Sequence, residues 1–246
     1  MNRDGFVQQP DERLLALLRS SADIARLTDG AFDITVQPYL RRWVEAHDRQ
    51  SAPSTDELAD DGTHVGYRNV AIEAAAIRLA KPGMAITLNG IAQGLATDRV
   101  LAVLQRHGIE HALLDTGEIG ATGSNGARAW SFAIAHPRHP GELVGIVGPL
   151  SGFLATSGDY ATTFSPDFRD NHIFDPATGR SPTELASATI LAPTGTLADG
   201  LSTAAMVMGV ERSLSLASRL PNVAAILVQK NGKIVASPGV AFHPIT

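Results

Sequence analysis

The chain of 246 residues contains no cysteine. Thiol catalysis, disulfide bridges and cysteine metal sites are thereby excluded. This absence suits an oxidising compartment without requiring one. No apolar run approaches the roughly 18 uninterrupted residues that a membrane span needs, and residues 1–9 carry no signal peptide. Twenty Lys and Arg stand against twenty-five Asp and Glu, a net charge of −5, and no basic run interleaves with aromatics. That argues against a nucleic-acid partner. There is no internal repeat, low-complexity tract or linker long enough to split the chain, so residues 1–246 are expected to form one domain. Hydrophobic residues make up 44%, enough for the core of an ordinary soluble protein.

What is present is a succession of short strands and a few helices. Pro10-Asp11-Glu12 begins a helix whose inward stripe is Leu14, Leu17, Leu18, Ser21, Ile24 and Ala25, and Gly30 ends it. Pro38 to Trp43 reads as helical, and His47 to Ala52 as a polar loop. Ser54-Thr55-Asp56-Glu57 is a capping-box pattern. Val65–Tyr67, Val70–Glu73, Ala76–Leu79 and Met84–Leu88 read as strands. A helix is predicted from Gly90 to His107, stopped by Gly108. A strand at His111–Asp115 precedes a glycine-rich turn, Thr116–Gly123, in which Glu118 could reach a metal region but reads more safely as a solvated carboxylate. Further strands are expected at Trp130–Ala135, Leu143–Val147, Phe153–Ala155 and Ser187–Leu191. Helices are expected at Leu197–Met208 and Val210–Arg219. Ala224–Val228 and Lys233–Ala236 flank Asn231-Gly232, a type I′ hairpin signal, and residues after Pro238 read as a tail. His136 and His139 lack a third ligand at usable spacing, so their loop is not read as a metal site. Meandering strands with helices gathered on a sheet predict the α+β class rather than βαβ alternation.

Polar chemistry concentrates in three pieces between residues 156 and 203: Thr156-Ser157-Gly158-Asp159-Tyr160, His172-Ile173-Phe174-Asp175-Pro176-Ala177-Thr178-Gly179, and Ala198-Asp199-Gly200-Leu201-Ser202-Thr203. Asp199 and Thr203 stand four apart, on one face of a helix. Two hard oxygen groups so placed suit Mg²⁺. Equally, Asp199 can cap the helix and Thr203 bond back to its own backbone. Spacing alone favours the second reading.

These pieces, in this order, resemble the ApbE family of FAD:protein FMN transferases, with its T-S-G-D/S-Y, H-I/V-x-D-P-x-T-G and A-D-x-x-x-T segments. Two upstream stretches also match, Thr28-Asp29-Gly30-Ala31-Phe32-Asp33-Ile34-Thr35-Val36 and Leu88-Asn89-Gly90-Ile91-Ala92-Gln93-Gly94. The second, with Asp115-Thr116-Gly117-Glu118-Ile119 after it, is most similar to the NosX branch, linked to nitrous-oxide respiration. The resemblance implies a mixed, mostly antiparallel sheet with packed helices. It implies that FMN is transferred from FAD to a Thr or Ser hydroxyl of a partner flavoprotein, with release of AMP. The partner would be a membrane-associated respiratory or redox subunit, and the location periplasmic or cell-envelope. Metal ligands would be Asp199, Thr203, the Gly90 carbonyl and Ser202, holding Mg²⁺ or, with the same oxygen ligands, Mn²⁺. His172 would be the general base. Ala31, Phe32, Asp33, Thr87, Gln93 and Phe174 would touch FAD. Three of these positions depart from the family pattern: Thr87 stands where most members have Asp, Gln93 where many have Lys or Glu, and Ser202 where many have a second Asp. Less negative charge at the metal predicts weaker metal binding. The family's N-terminal strand and aromatic segment end in an Asn that matches Asn2, so the resemblance implies that an earlier portion is missing.

For His172, Phe32, Asp33 and Phe174 the alternatives are structural: a His holding the Asp175-Pro176 turn, two core aromatics and a turn cap. Two other functions share the same residues. One is a Mg²⁺-dependent FAD pyrophosphatase giving FMN and AMP. The other is a non-catalytic flavin-binding assembly protein, which the departures at Thr87, Gln93 and Ser202 would favour.

Overall fold

The computed structural model describes residues 1–245. Strand β1 (Phe6–Gln8) leads to α1 (Glu12–Leu27), whose first turn is capped by the Asp11 carboxylate accepting from the Arg13 N–H. Leu15, Leu17, Leu18, Ser21, Ile24 and Ala25 form the buried stripe, with Leu14 only half-buried. Helix α2 (Gln37–Asp48) runs past the expected loop start at His47. At α3 (Thr55–Gly62) the capping box is formed: Ser54 Oγ accepts from the Glu57 N–H, and the Glu57 carboxylate accepts from the Ser54 N–H. Strands β2 (Val70–Ile72) and β3 (Ala76–Leu79) complete a three-stranded antiparallel sheet in the order β1-β3-β2.

Helix α4 (Ala92–Arg106) precedes β4 (Ala112–Asp115), β5 (Ile119–Thr122), β6 (Ser124–Asn125), β7 (Arg128–Ala135), β8 (Leu143–Leu150) and β9 (Gly152–Gly158). After a long loop come β10 (Leu185–Ala192), α5 (Gly195–Arg219), β11 (Ala224–Gln229), β12 (Ile234–Ala236) and β13 (Phe242–Pro244). The central sheet is six-stranded, β12-β11-β10-β9-β5-β4, and a four-stranded sheet has the order β13-β8-β7-β6. Both are antiparallel throughout their described pairs. The α+β expectation therefore holds.

The central sheet is buried on both faces, and strand periodicity shows how. Ala225 and Leu227 of β11 point into the core made with α1, α4 and α5, whereas Ile226 and Val228 point into a second core. That second core is closed by Ile134, Val144 and Val147 from β7 and β8. A strand covered on both sides has no polar face, as the run Ala224–Val228 shows. None of the described helices is long and apolar enough to cross a membrane.

Five local expectations need correction. Val65–Tyr67 is not a strand; one 3₁₀ turn spans Tyr67–Asn69. Met84–Leu88 pairs with no strand, because groups remote in sequence take its backbone bonds: the Asn2 side chain bonds both polar groups of Ile86, and the Thr87 N–H donates to the Ile34 carbonyl. Part of the glycine-rich turn is a strand, β5. The hairpin at Asn231-Gly232 is not type I′, since only Gly232 has positive φ (86°). A type I turn with glycine at the bulge position fits its Gly232 N–H to Gln229 O and Gln229 N–H to Lys233 O bonds. Finally, the tail supplies β13, paired with β8.

Helices α4 and α5 cross where Gly94 meets Gly195. A Cβ on Gly94 would collide with the Gly195 backbone and with Asp199. The closest atoms are backbone, so overpacking there cannot be absorbed by a flexible side-chain end. Gly94→Ala should lower the unfolding free energy by about 2 kcal/mol or more, measured by urea denaturation.

Candidate active site

The crossing of α4 and α5 also organises the polar groups. The N-terminus of α5 is capped twice. Thr194 Oγ1 accepts from the Leu197 N–H, and the Asp98 carboxylate of α4 accepts from the N–H groups of Gly195 and Thr196 and from Thr196 Oγ1. Asp199 is therefore not the cap. Its Oδ2 accepts from the Gly94 N–H at 2.9 Å, which leaves Oδ1 uncommitted. Only 3% of Asp199 is exposed, and burial pushes its carboxyl up to about 6, opposed by the Gly94 N–H.

One turn on, Ser202 Oγ donates to the Asp199 carbonyl and lies 2.7 Å from Ser157 Oγ at the end of β9. Thr203 Oγ1 lies 3.2 Å from the same Ser157 hydroxyl. A Cβ on Gly90 would lie 2.8 Å from Thr203 Oγ1, so that backbone is in close contact with the threonine. Gly90, Asp199, Ser202 and Thr203 thus meet in one place, with Ser157 beside them. Thr203 does not spend its hydroxyl on its own helix. Among the described residues no three His, Cys, Asp or Glu side chains gather as a metal cluster; the groups that gather here are hydroxyls, a glycine backbone and one acid.

Glu118 corrects the reading from sequence. It is not solvated: 7% is exposed, and Oε2 has no hydrogen-bond partner. Burial first, then the charge of Asp199, pushes its carboxyl up to about 8, and the Thr156 backbone opposes the shift. The signal available in the sequence was an acid in a stretch otherwise of glycines and small residues.

His172 sits on the loop between β9 and β10. Its backbone N–H donates to the Thr162 carbonyl, and Nδ1 lies 3.2 Å from that same oxygen. A carbonyl only accepts, so Nδ1 carries the hydrogen and Nε2 keeps its lone pair. Burial pushes the imidazole below its ordinary value, favouring this neutral form. The loop is fixed at both ends. Asp159, fully buried, takes a bidentate pair from Arg138 at 2.7 Å and a longer one from Lys230 at 3.4 Å. At the other end, Trp43 Nε1 donates to the Gly179 carbonyl and Tyr39 Oη to that of Pro176, docking the turn on α2.

The residues expected against FAD divide into two groups. Phe174 is a core residue: 4% exposed, it stacks on Trp43 and Phe164 with centroids 6.4 and 6.5 Å away. Phe32 and Ala31 are likewise buried. Asp33 spends both oxygens internally, Oδ1 on the Thr35 N–H and hydroxyl and Oδ2 on the Tyr67 N–H. For Phe32 and Phe174 the core alternative describes the side-chain arrangement seen. Thr87 and Gln93 remain accessible. Thr87 lines a cleft of about 400 Å³ with Gln37, Leu88 and Asn89, and Gln93 lies over Gly117.

The buried acids set a pH dependence. For Glu118 and Asp199 the folded value lies above the ordinary ones near 4.5 and 3.8. Their contribution is then fully present below those values and is lost as pH rises through about 6 for Asp199 and about 8 for Glu118. Metal-free protein should lose more than about 1 kcal/mol between pH 5 and pH 8.5, and Glu118→Gln should flatten the upper part of that slope in urea titrations.

The ApbE family model matches residues 1–227. The chain is 31% identical over 250 residues to the FAD:protein FMN transferase of Treponema pallidum, covering 94% of this chain and 69% of that protein. To the protein of the same name from Haemophilus influenzae it is 30% identical over 242 residues, covering 94% and 70%. It superposes on the crystal structure of the ApbE protein from Thermotoga maritima with a TM-score of 0.86, at 31% identity over 96% of this chain and 78% of that one. On the flavin transferase ApbE from Vibrio cholerae the TM-score is 0.78, at 30% identity over 93% and 75%. With its described residues built on the fold of these proteins, the chain belongs to the ApbE family.

Proposed function

We propose that this chain is an FAD:protein FMN transferase, acting as one domain over residues 1–246. The observation that carries this reading is the meeting of Asp199, Ser202, Thr203 and Gly90 at the helix crossing. A pyrophosphate is a hard polyanion, and these are hard oxygen donors of the kind that hold a cation able to bind phosphate oxygens. The donor set fits Mg²⁺, or Mn²⁺: Asp199 Oδ1, the Thr203 and Ser202 hydroxyls and the Gly90 carbonyl would hold it. Such a cation, when bound, supplies neutralisation of the charge that develops on the pyrophosphate during phosphoryl transfer.

In the reaction, a Thr or Ser oxygen of the acceptor attacks the flavin-side phosphorus of FAD. A new O–P bond forms, the P–O bond to AMP breaks, and AMP leaves with that oxygen. The His172 Nε2 lone pair takes the acceptor's hydroxyl proton; the Thr162 carbonyl fixes the tautomer that makes this possible. Gly94 orients Asp199, and the Arg138 and Lys230 pairs on Asp159 anchor the strand end that presents Ser157. Thr87, with Leu88 and Asn89, lines the cleft we assign to part of FAD, and Gln93 flanks the phosphates. The acceptor is a flavoprotein, in our reading a respiratory or redox subunit at the cell envelope; the Leu88–Gly94 wording supports the nitrous-oxide branch.

The test is mass spectrometry of an acceptor flavoprotein domain incubated with this protein, FAD and Mg²⁺. An FMN-sized gain is expected, reduced by a factor on the order of 10²–10⁴ in His172→Ala and abolished in Asp199→Ala. AMP and FMN without an adduct would replace this reading with a pyrophosphatase, and no product at all with a flavin binder.

A further inference from the structure

We propose that Glu118 is a further ligand of the divalent cation, a second carboxylate facing the Asp199 site. The proposal rests on the reading that a cation binds at Asp199. Its basis is geometric. Glu118 immediately precedes β5, which pairs with β9 in the register Ile119 to Leu154. That register sets Glu118 beside the end of β9, where the Ser157 hydroxyl lies within 3.2 Å of both Ser202 and Thr203. From that position its carboxylate feels the charge of Asp199 and the Thr156 backbone.

A buried carboxylate kept for structure is expected to have its oxygens hydrogen-bonded, because an unmade bond costs about 1–3 kcal/mol. Glu118 is 93% buried by its 7% exposure, yet Oε2 has no partner. An orphan of this kind points to a missing ion or a chemical role. Among the described residues no ion pair involves Glu118, and Arg138 and Lys230, which meet Asp159 just past the end of β9, are both engaged there. Asp115, the other acid acting on Glu118, is exposed and adds only negative charge. Two buried carboxylates and one dication sum to zero, and Mg²⁺ sites commonly use one or two carboxylates with the remaining positions filled by substrate phosphate and water. Glu118 would thereby supply negative charge to a site whose other side-chain donors, Ser202 and Thr203, are neutral.

The experiment titrates metal-free full chain with Mn²⁺ and follows the electron paramagnetic resonance of the free ion, without FAD or acceptor. Wild type, Asp199→Ala, Glu118→Gln and Glu118→Asp are compared, with a melting curve to show that each is folded. The expected result is binding by wild type, loss in Asp199→Ala, and affinity at least about ten-fold weaker in Glu118→Gln. Glu118→Asp, which keeps the charge, should bind more tightly than Glu118→Gln. Wild-type affinity in Glu118→Gln, with loss in Asp199→Ala, would overturn the role of Glu118 and leave the Asp199 site standing. Tighter binding by Glu118→Gln than by Glu118→Asp would assign Glu118 to packing and overturn the proposal as well. If wild type bound no Mn²⁺, both this inference and the metal reading beneath it would fall.

Discussion

Where α4 crosses α5, two glycines let the helix backbones touch, and the Gly94 N–H meets the Asp199 carboxylate. Much of the site depends on this contact. It removes Asp199 from capping duty, because Asp98, four residues beyond Gly94 on α4, takes the exposed N–H groups of α5 instead. It brings Gly90, just ahead of α4, against Thr203. The hydroxyls of Ser202 and Thr203 are then turned toward Ser157 on the central sheet. Helix α5 and strand β9 contribute the carboxylate and hydroxyls to one spot, and Gly90, in the turn ahead of α4, closes against Thr203.

The electrostatics follow from how the basic residues are spent. Arg138 and Lys230 neutralise Asp159, which anchors the strand end and the loop carrying His172. No described ion pair reaches Asp199 or Glu118, and burial raises both carboxyls. The protein therefore holds acids in a place where water does not solvate them and no cationic side chain pairs with them. Such an arrangement is costly without a ligand and favourable with a positive one. His172 is tuned the other way: burial and a carbonyl partner favour the neutral imidazole that a base requires.

Local rules made much of the fold legible. The capping box at Ser54, the start of α1 at Asp11 and the apolar run of β11 need only neighbouring residues to be read. So does the break between two helical stretches at Gly209, whose φ of 73° interrupts α5. Four-residue spacing likewise put Asp199 and Thr203 on one face. What spacing could not decide was whether they faced solvent, backbone or each other's partners, since those partners lie about a hundred residues away at Gly90, Gly94 and Asp98. The same reason hid Glu118: in sequence it sits in a turn, and only the pairing of β5 with β9 buries it. Phe174 was ambiguous until Tyr39, Trp43 and Phe164 gathered around it. Met84–Leu88 failed as a strand because the Asn2 amide and the Ile34 carbonyl, both remote in sequence, take bonds that a neighbouring strand would otherwise make.

The central claim is that the helix crossing builds a site for a divalent cation and a pyrophosphate together. Anomalous diffraction from a crystal grown with Mn²⁺ and FAD tests it directly. The account predicts one strong Mn²⁺ peak bounded by Asp199, Thr203 and the Gly90 carbonyl, in contact with the FAD phosphates. A peak elsewhere, or FAD phosphates bound away from α4 and α5, would contradict it.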